Sequence, residues 1–120
     1  MTSKPMGDSS RIAHRVKFET RMKIRIQRGS ETLTVGGWAR DISESGVGAF
    51  VAEALTTDEA VELEVPLADG VVITLPARVT RNLGTQYGLM FTALSSEQRR
   101  HIQKAMVGKA PLPSPFLPTD

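Results

Sequence analysis

The chain has 120 residues, 40% of them apolar, a size that suits one domain with a modest core. The absence of cysteine excludes disulfide scaffolds, thiolate metal sites and cysteine nucleophiles. The net charge of +2 conceals an uneven spread: residues 1–30 carry a net +6, residues 31–70 a net −8 and residues 71–120 a net +4. A surface built for long nucleic acid is not expected from such a map. A small anion at the basic N-terminal end fits it better.

Residues 1–10, MTSKPMGDSS, are polar and lack periodicity. They read as a flexible arm. They hold no apolar run of the kind a secretory leader carries. No segment approaches the ~20 apolar residues of a membrane helix. A cytoplasmic protein without membrane insertion is expected.

From Arg21 the residues alternate, with Met22, Ile24 and Ile26 set against Arg21, Lys23 and Arg25. That is a half-buried strand. Gly29-Ser30 turns the chain. Leu33 and Val35 begin a second extended segment, Gly36-Gly37 interrupt it as a bulge or bend, and Trp38 to Ile42 continue it. Gly46-Val47-Gly48 leads into a short apolar strand over 49–52. Val61, Leu63, Val65 and Leu67 alternate with Glu62, Glu64 and Pro66, and Pro66 marks an edge or an end. Asp69-Gly70 is a hairpin signal. Its partner strand sets Val71, Ile73, Leu75, Ala77 and Val79 on one face. Asn82-Leu83-Gly84 makes the next turn, and Tyr87, Leu89 and Phe91 face inward on a last strand.

At Ser95 the period changes. Ser95 with Gln98 forms a capping box. Gln98, Ile102, Ala105 and Met106 share a helix face, and Gly108 supplies the stop. Residues 109–120 contain four prolines and read as an extended, largely unpacked tail. Six short strands and one helix predict a mainly β fold: a small antiparallel, split β-barrel with a C-terminal α-helix over one open end. The domain then covers 11–108, between the arm (1–10) and the tail (109–120).

No site for catalysis or for a metal emerges. His14 and His101 stand far apart, and neither has a partner at metal-ligand spacing. No G-x-S-x-G elbow is present. Gly46-Val47-Gly48 is a lone G-x-G, read as a bend rather than a phosphate cradle.

Two clusters stand out. Arg11-Ile12-Ala13-His14-Arg15 places two arginines four residues apart where the arm joins the barrel. Each offers a planar fork of donors suited to phosphate or to the O6/N7 edge of guanine. As a charged segment it also reads as a solvated face. Asp41-Ile42-Ser43-Glu44-Ser45-Gly46 places a carboxylate and a hydroxyl two residues apart, on one side of a strand. These groups accept from donors such as the guanine N1–H and N2–H₂ edge. Gly46 lets the backbone turn or approach a flat base. The same residues also suit an ordinary turn.

Together the clusters resemble the PilZ domain family, whose signature is R-x-x-x-R followed by (D/N)-x-S-x-x-G. Here these are RIAHR at 11–15 and DISESG at 41–46. The YG-x-x-F segment at Tyr87–Phe91 and L-S-x-E-x-R at Leu94–Arg99 are also similar to the family. The likeness extends over about residues 11–107.

The resemblance implies a non-enzymatic bacterial receptor for the second messenger cyclic di-GMP, with no cofactor. Arg11 and Arg15 would hold phosphates and guanine edges. Asp41, Ser43 and Gly46 would line the base from the barrel surface. Ser10, just before the first motif, leaves open one nucleotide or a stacked pair. Arg81, at the end of the fifth strand, is an added candidate contact. Since the chain shows no output domain, the signal would pass to an unidentified downstream protein as the arm becomes ordered. Two other readings remain: a nucleotide-independent adaptor of the same fold, and a barrel that binds single-stranded nucleic acid through Arg11–Arg28. The second is opposed by the scarcity of aromatic residues, so no DNA or RNA partner is expected.

Overall fold

The computed structural model describes residues 15–112. Six strands form a closed antiparallel barrel in the order β1-β2-β3-β6-β5-β4. They are β1 (Val16–Arg28), β2 (Glu31–Ile42), β3 (Gly46–Val51), β4 (Ala60–Pro66), β5 (Val72–Leu83) and β6 (Gln86–Phe91). One helix, α1 (Ser96–Met106), follows. The mainly β barrel with a C-terminal helix is the architecture the sequence predicts.

Alternation builds the core. Met22, Ile24 and Ile26 on β1 are buried, as are Val61, Leu63 and Val65 on β4, and Ile73, Leu75, Ala77 and Val79 on β5. Tyr87, Leu89 and Phe91 complete the inward face from β6. The Tyr87 hydroxyl accepts the buried Leu55 N–H at 3.0 Å, so its polar tip is satisfied.

Four local expectations need correcting. β1 begins at Val16 rather than Arg21, because Val16 and Phe18 extend the same buried face. Gly36 and Gly37 do not interrupt β2. They pair in register with Lys23 and Met22, and a Cβ on Gly37 would lie 3.2 Å from Ile24 Cδ1. Gly37 serves close interior packing. β5 runs on through Asn82 and Leu83, so that turn is centred on Gly84, at φ +66°. The tail is packed at its start: Lys17 N–H donates to the Ala110 carbonyl and Leu112 N–H to the Arg15 carbonyl. This segment pairs with the start of β1, beyond the stretch Lys23–Ile26 that pairs with β4.

The Asp69-Gly70 turn forms as expected, both residues having positive φ, with Val71 N–H donating to the Ala68 carbonyl. The capping box forms in both directions: Gln98 N–H donates to Ser95 Oγ and Ser95 N–H to Gln98 Oε1. Gly108, at φ +80°, follows the helix end. Ile102 and Ala105 are buried. Gln98 Nε2 donates to the Thr74 carbonyl. His101, Lys104 and Ala105 line a small cleft with the β4–β5 hairpin tip. The helix thus covers one barrel end.

Arg28 ties the β3–β4 connection to the end of β1. Its guanidinium donates to both carboxylate oxygens of Glu59, to Glu53 and to the Ala54 carbonyl. The Arg28 hydrogen bonds hold the Glu59 carboxyl below its usual range, and the Thr56 N–H adds to this. A depressed carboxyl pKa stabilises the fold above its unfolded value, and the contribution is lost as pH falls through the folded value. Glu59→Gln is therefore expected to cost about 1 kcal/mol at neutral pH. The difference from wild type should shrink as the pH is lowered through the folded-state value, as urea denaturation at neutral and at acidic pH would show.

Candidate ligand-binding site

A strand sends alternate residues to opposite faces, so an added residue in one strand reverses the parity beyond it. β2 carries such a bulge between Ala39 and Asp41. Leu33, Val35, Gly37 and Ala39 point inward; beyond the bulge, Ile42 is the buried residue. Asp41 is turned outward as a result. β5 has the equivalent bulge between Val79 and Arg81, which turns Arg81 outward after four buried odd-numbered residues.

The register connects these two positions. Asp41 pairs with Gly48 on β3, Gly48 with Gly88 on β6, and Gly88 with Arg81 on β5. Two adjacent glycines therefore form a strip of bare backbone across the outer surface, with Asp41 at one end and Arg81 at the other. The strip is occupied closely at both ends. A Cβ on Gly48 would lie 2.8 Å from Asp41 Oδ2, and one on Gly88 would lie 3.2 Å from Arg81 Cβ. From Asp41 to Arg81 spans three strand spacings, about 14 Å. The bare backbone lets the Asp41 carboxylate and the Arg81 stem lie directly over the two glycines.

Arg15 lies at the Asp41 end. Its Nε donates to Asp41 Oδ1 at 2.8 Å and its Nη1 to Ser43 Oγ at 3.4 Å. The pair is partly exposed, with side chains 37% and 21% accessible. One Arg15 amino group and Asp41 Oδ2 have no partner among the described residues. The ion pair thus fixes both groups and leaves a donor and an acceptor at the surface.

Ser43 differs from its expected position. It is fully buried, the one buried polar residue among those described. Its hydroxyl accepts the Ser45 N–H and bonds Ser45 Oγ, while its own N–H donates to the Gly46 carbonyl. Asp41 and Ser43 therefore do not share a strand face, because β2 ends at Ile42. Arg15 joins them instead. Gly46 is buried in the same turn, where a Cβ would come within 2.4 Å of the Leu89 carbonyl oxygen. Arg11 lies outside the described residues, so Arg15, Asp41 and Ser43 are the predicted site residues brought into contact.

Sequence reasoning missed three contributors. Gly48 and Gly88 carry no local signal, since their meaning lies in cross-strand register. Glu44, inside the second motif, accepts from Arg99 Nη1 and Gln103 Nε2 on α1. It links the site turn to the C-terminal helix.

The sequence profile described as "PilZ domain" matches residues 9–108. The chain belongs to the PilZ domain family. Its fold is shared with the PilZ domain of CeSA from a cellulose-synthesizing bacterium (22% identity, TM-score 0.60, covering 77% of this chain and 93% of that one). The inhibitor of motility MotI/DgrA of Bacillus subtilis is also similar (15% identity, TM-score 0.62), with 78% of this chain and 48% of that one covered. So is the PilZ domain of YcgR from Escherichia coli, solved with c-di-GMP (15% identity, TM-score 0.59, coverage 75% and 83%). No curated protein sequence gives a match. Within this PilZ domain, R-x-x-x-R ends at Arg15 and (D/N)-x-S-x-x-G begins at Asp41, and the 2.8 Å ion pair joins the two motifs.

Gly46 and Gly48 have separable roles. Gly46→Ala sets a methyl against backbone and is expected to destabilise the fold by about 1–3 kcal/mol in chemical denaturation. Gly48→Ala sets one against the Asp41 carboxylate, which can swing away. It is expected to cost less stability while moving the Asp41 and Arg15 side-chain resonances in NMR spectra. Equal stability losses would contradict this division.

Proposed function

We propose that the chain is a non-catalytic receptor for cyclic di-GMP. The observation that carries this reading is the Arg15–Asp41 pair at the end of the glycine strip, in a chain of the PilZ family. The ligand has two phosphates and two flat guanines. A guanine presents acceptors on one edge and donors on another. The Arg15 amino group that has no partner among the described residues suits a phosphate or the acceptor edge, and Asp41 Oδ2 suits N1–H and N2–H₂. Gly48 and Gly88 give the ring a bare surface, and Arg81 borders its far side.

Ser43 acts from below the surface in this reading. Its buried hydroxyl positions the turn and the Arg15 guanidinium, and Gly46 keeps the turn closed. Arg11, four residues ahead of Arg15, brings a second fork once the arm folds over the bound nucleotide. Ordering of the arm is the signal, read by a downstream protein. The bacterial, cytoplasmic setting of cyclic di-GMP follows from the same reading. Each charged hydrogen bond contributes about 1.5–3 kcal/mol, so a few of them support micromolar binding, about 8 kcal/mol, after ordering costs.

Titration calorimetry with cyclic di-GMP tests the proposal. Saturable binding that weakens with added salt is expected. Arg15→Ala and Asp41→Ala should each weaken it about tenfold or more, with the arm protected from proteolysis only when ligand is bound. No heat and no rise in melting temperature at about 100 μM ligand would reject the receptor reading and favour a nucleotide-independent adaptor.

A further inference from the structure

Beside the glycine strip, the outer face of β4, β1, β2 and β3 holds a shallow groove of about 540 Å³. Its surface is formed by Trp38, Phe50, Pro66 and the bare backbone of Gly36 and Gly37. Trp38 is 40% exposed, unusual for so large an apolar ring. Phe50 is the next outward residue after Gly48 on β3, which places the groove about 7 Å from the strip.

The charges around the groove are not balanced. Arg25 is taken by Glu62 and Glu64, Arg28 by Glu59 and Glu53, and Arg40 by Glu19. Arg21 and Lys23 line the groove beside Trp38 and Gly36. Neither side chain has a hydrogen bond or ion pair among the described residues, although Lys23 stands opposite Glu64 in the β1–β4 ladder. Two cationic side chains with no ion pair among the described residues thus border an exposed apolar surface.

We propose that this groove docks a protein segment that sets an aromatic or aliphatic side chain next to carboxylates. The apolar side chain covers Trp38 and Phe50, and the carboxylates take Arg21 and Lys23. A peptide can confine its negative charge to the β1 side of the groove. A polyphosphate chain or an anionic bilayer cannot, because Glu64, which stands opposite Lys23 on the neighbouring strand β4, lies in the same groove. The Glu64 position therefore favours a protein partner over both.

Selection from a phage-displayed library of random short peptides tests this, with Trp38→Ala protein used for counter-selection. Trp38 is the sole tryptophan of the chain, so its emission reports directly on the groove. Enriched peptides should carry Asp or Glu next to an aromatic or aliphatic residue, and should shift Trp38 emission to the blue. Arg21→Glu combined with Lys23→Glu, both outward positions, should leave the melting temperature nearly unchanged and weaken those peptides about tenfold or more. The proposal is overturned by recovery of no Trp38-dependent peptide, by enrichment of basic sequences, or by affinity indifferent to the charge reversal. It is equally overturned if only phosphatidylglycerol vesicles or an oligonucleotide shift the emission. Trp38-dependent self-association in sedimentation would assign the groove to a second copy of the chain instead.

Discussion

In a closed barrel every strand must send alternate residues inward, and that parity can change only where one strand of a pair gains a residue. Two bulges in this chain do so, one before Asp41 and one before Arg81. In unbroken register both charged groups would point into the core, where an unpaired charge is too costly to keep. The bulges turn them out to the two ends of the Gly48–Gly88 strip. The acceptor, the bare surface and the far cation of the proposed site thus arise from two local departures in register.

Closure also explains the uneven charge map. The acidic middle of the chain has few residues free to form a separate acidic face. Glu62 and Glu64 on β4 hold Arg25 on β1, and Glu53 and Glu59 hold Arg28. β1 and β4 pair directly, so a basic strand and an acidic one neutralise each other across the seam that closes the barrel. Single surface pairs contribute little. Their arrangement along one seam, with Glu64 turned to Arg25, leaves the Arg21 and Lys23 side chains without ion pairs among the described residues.

The site turn is linked to the rest of the molecule at both sides. Glu44 reaches Arg99 and Gln103 on α1. The segment beyond α1 returns to pair with β1 at Arg15 and Lys17. The residue that grips Asp41 is therefore held by the chain's C-terminal segment through its backbone. A change at Arg15 has a direct physical route to the helix and to the start of the tail.

Much of this protein was legible in the sequence because alternation and turn chemistry are local. Met22, Ile24 and Ile26, the Asp69-Gly70 turn and the Ser95–Gln98 box each signalled their element within a few residues. The two motifs likewise grouped Arg15 with Asp41, and the fold brings these side chains into contact. Bulges carry no such local signature, which is why Gly36-Gly37 suggested one where the ladder is regular, while the bulges at Arg40 and Thr80 went unmarked. The roles of Gly48 and Gly88 depend on pairing between strands far apart in the chain. The burial of Ser43 depends on where β2 ends. Sequence by itself determined the fold class and the identity of the paired motifs, since periodicity and residue chemistry act over a few positions. Tertiary structure alone decided which side chains face outward and which charges remain unpaired, since both follow from register across a closed sheet.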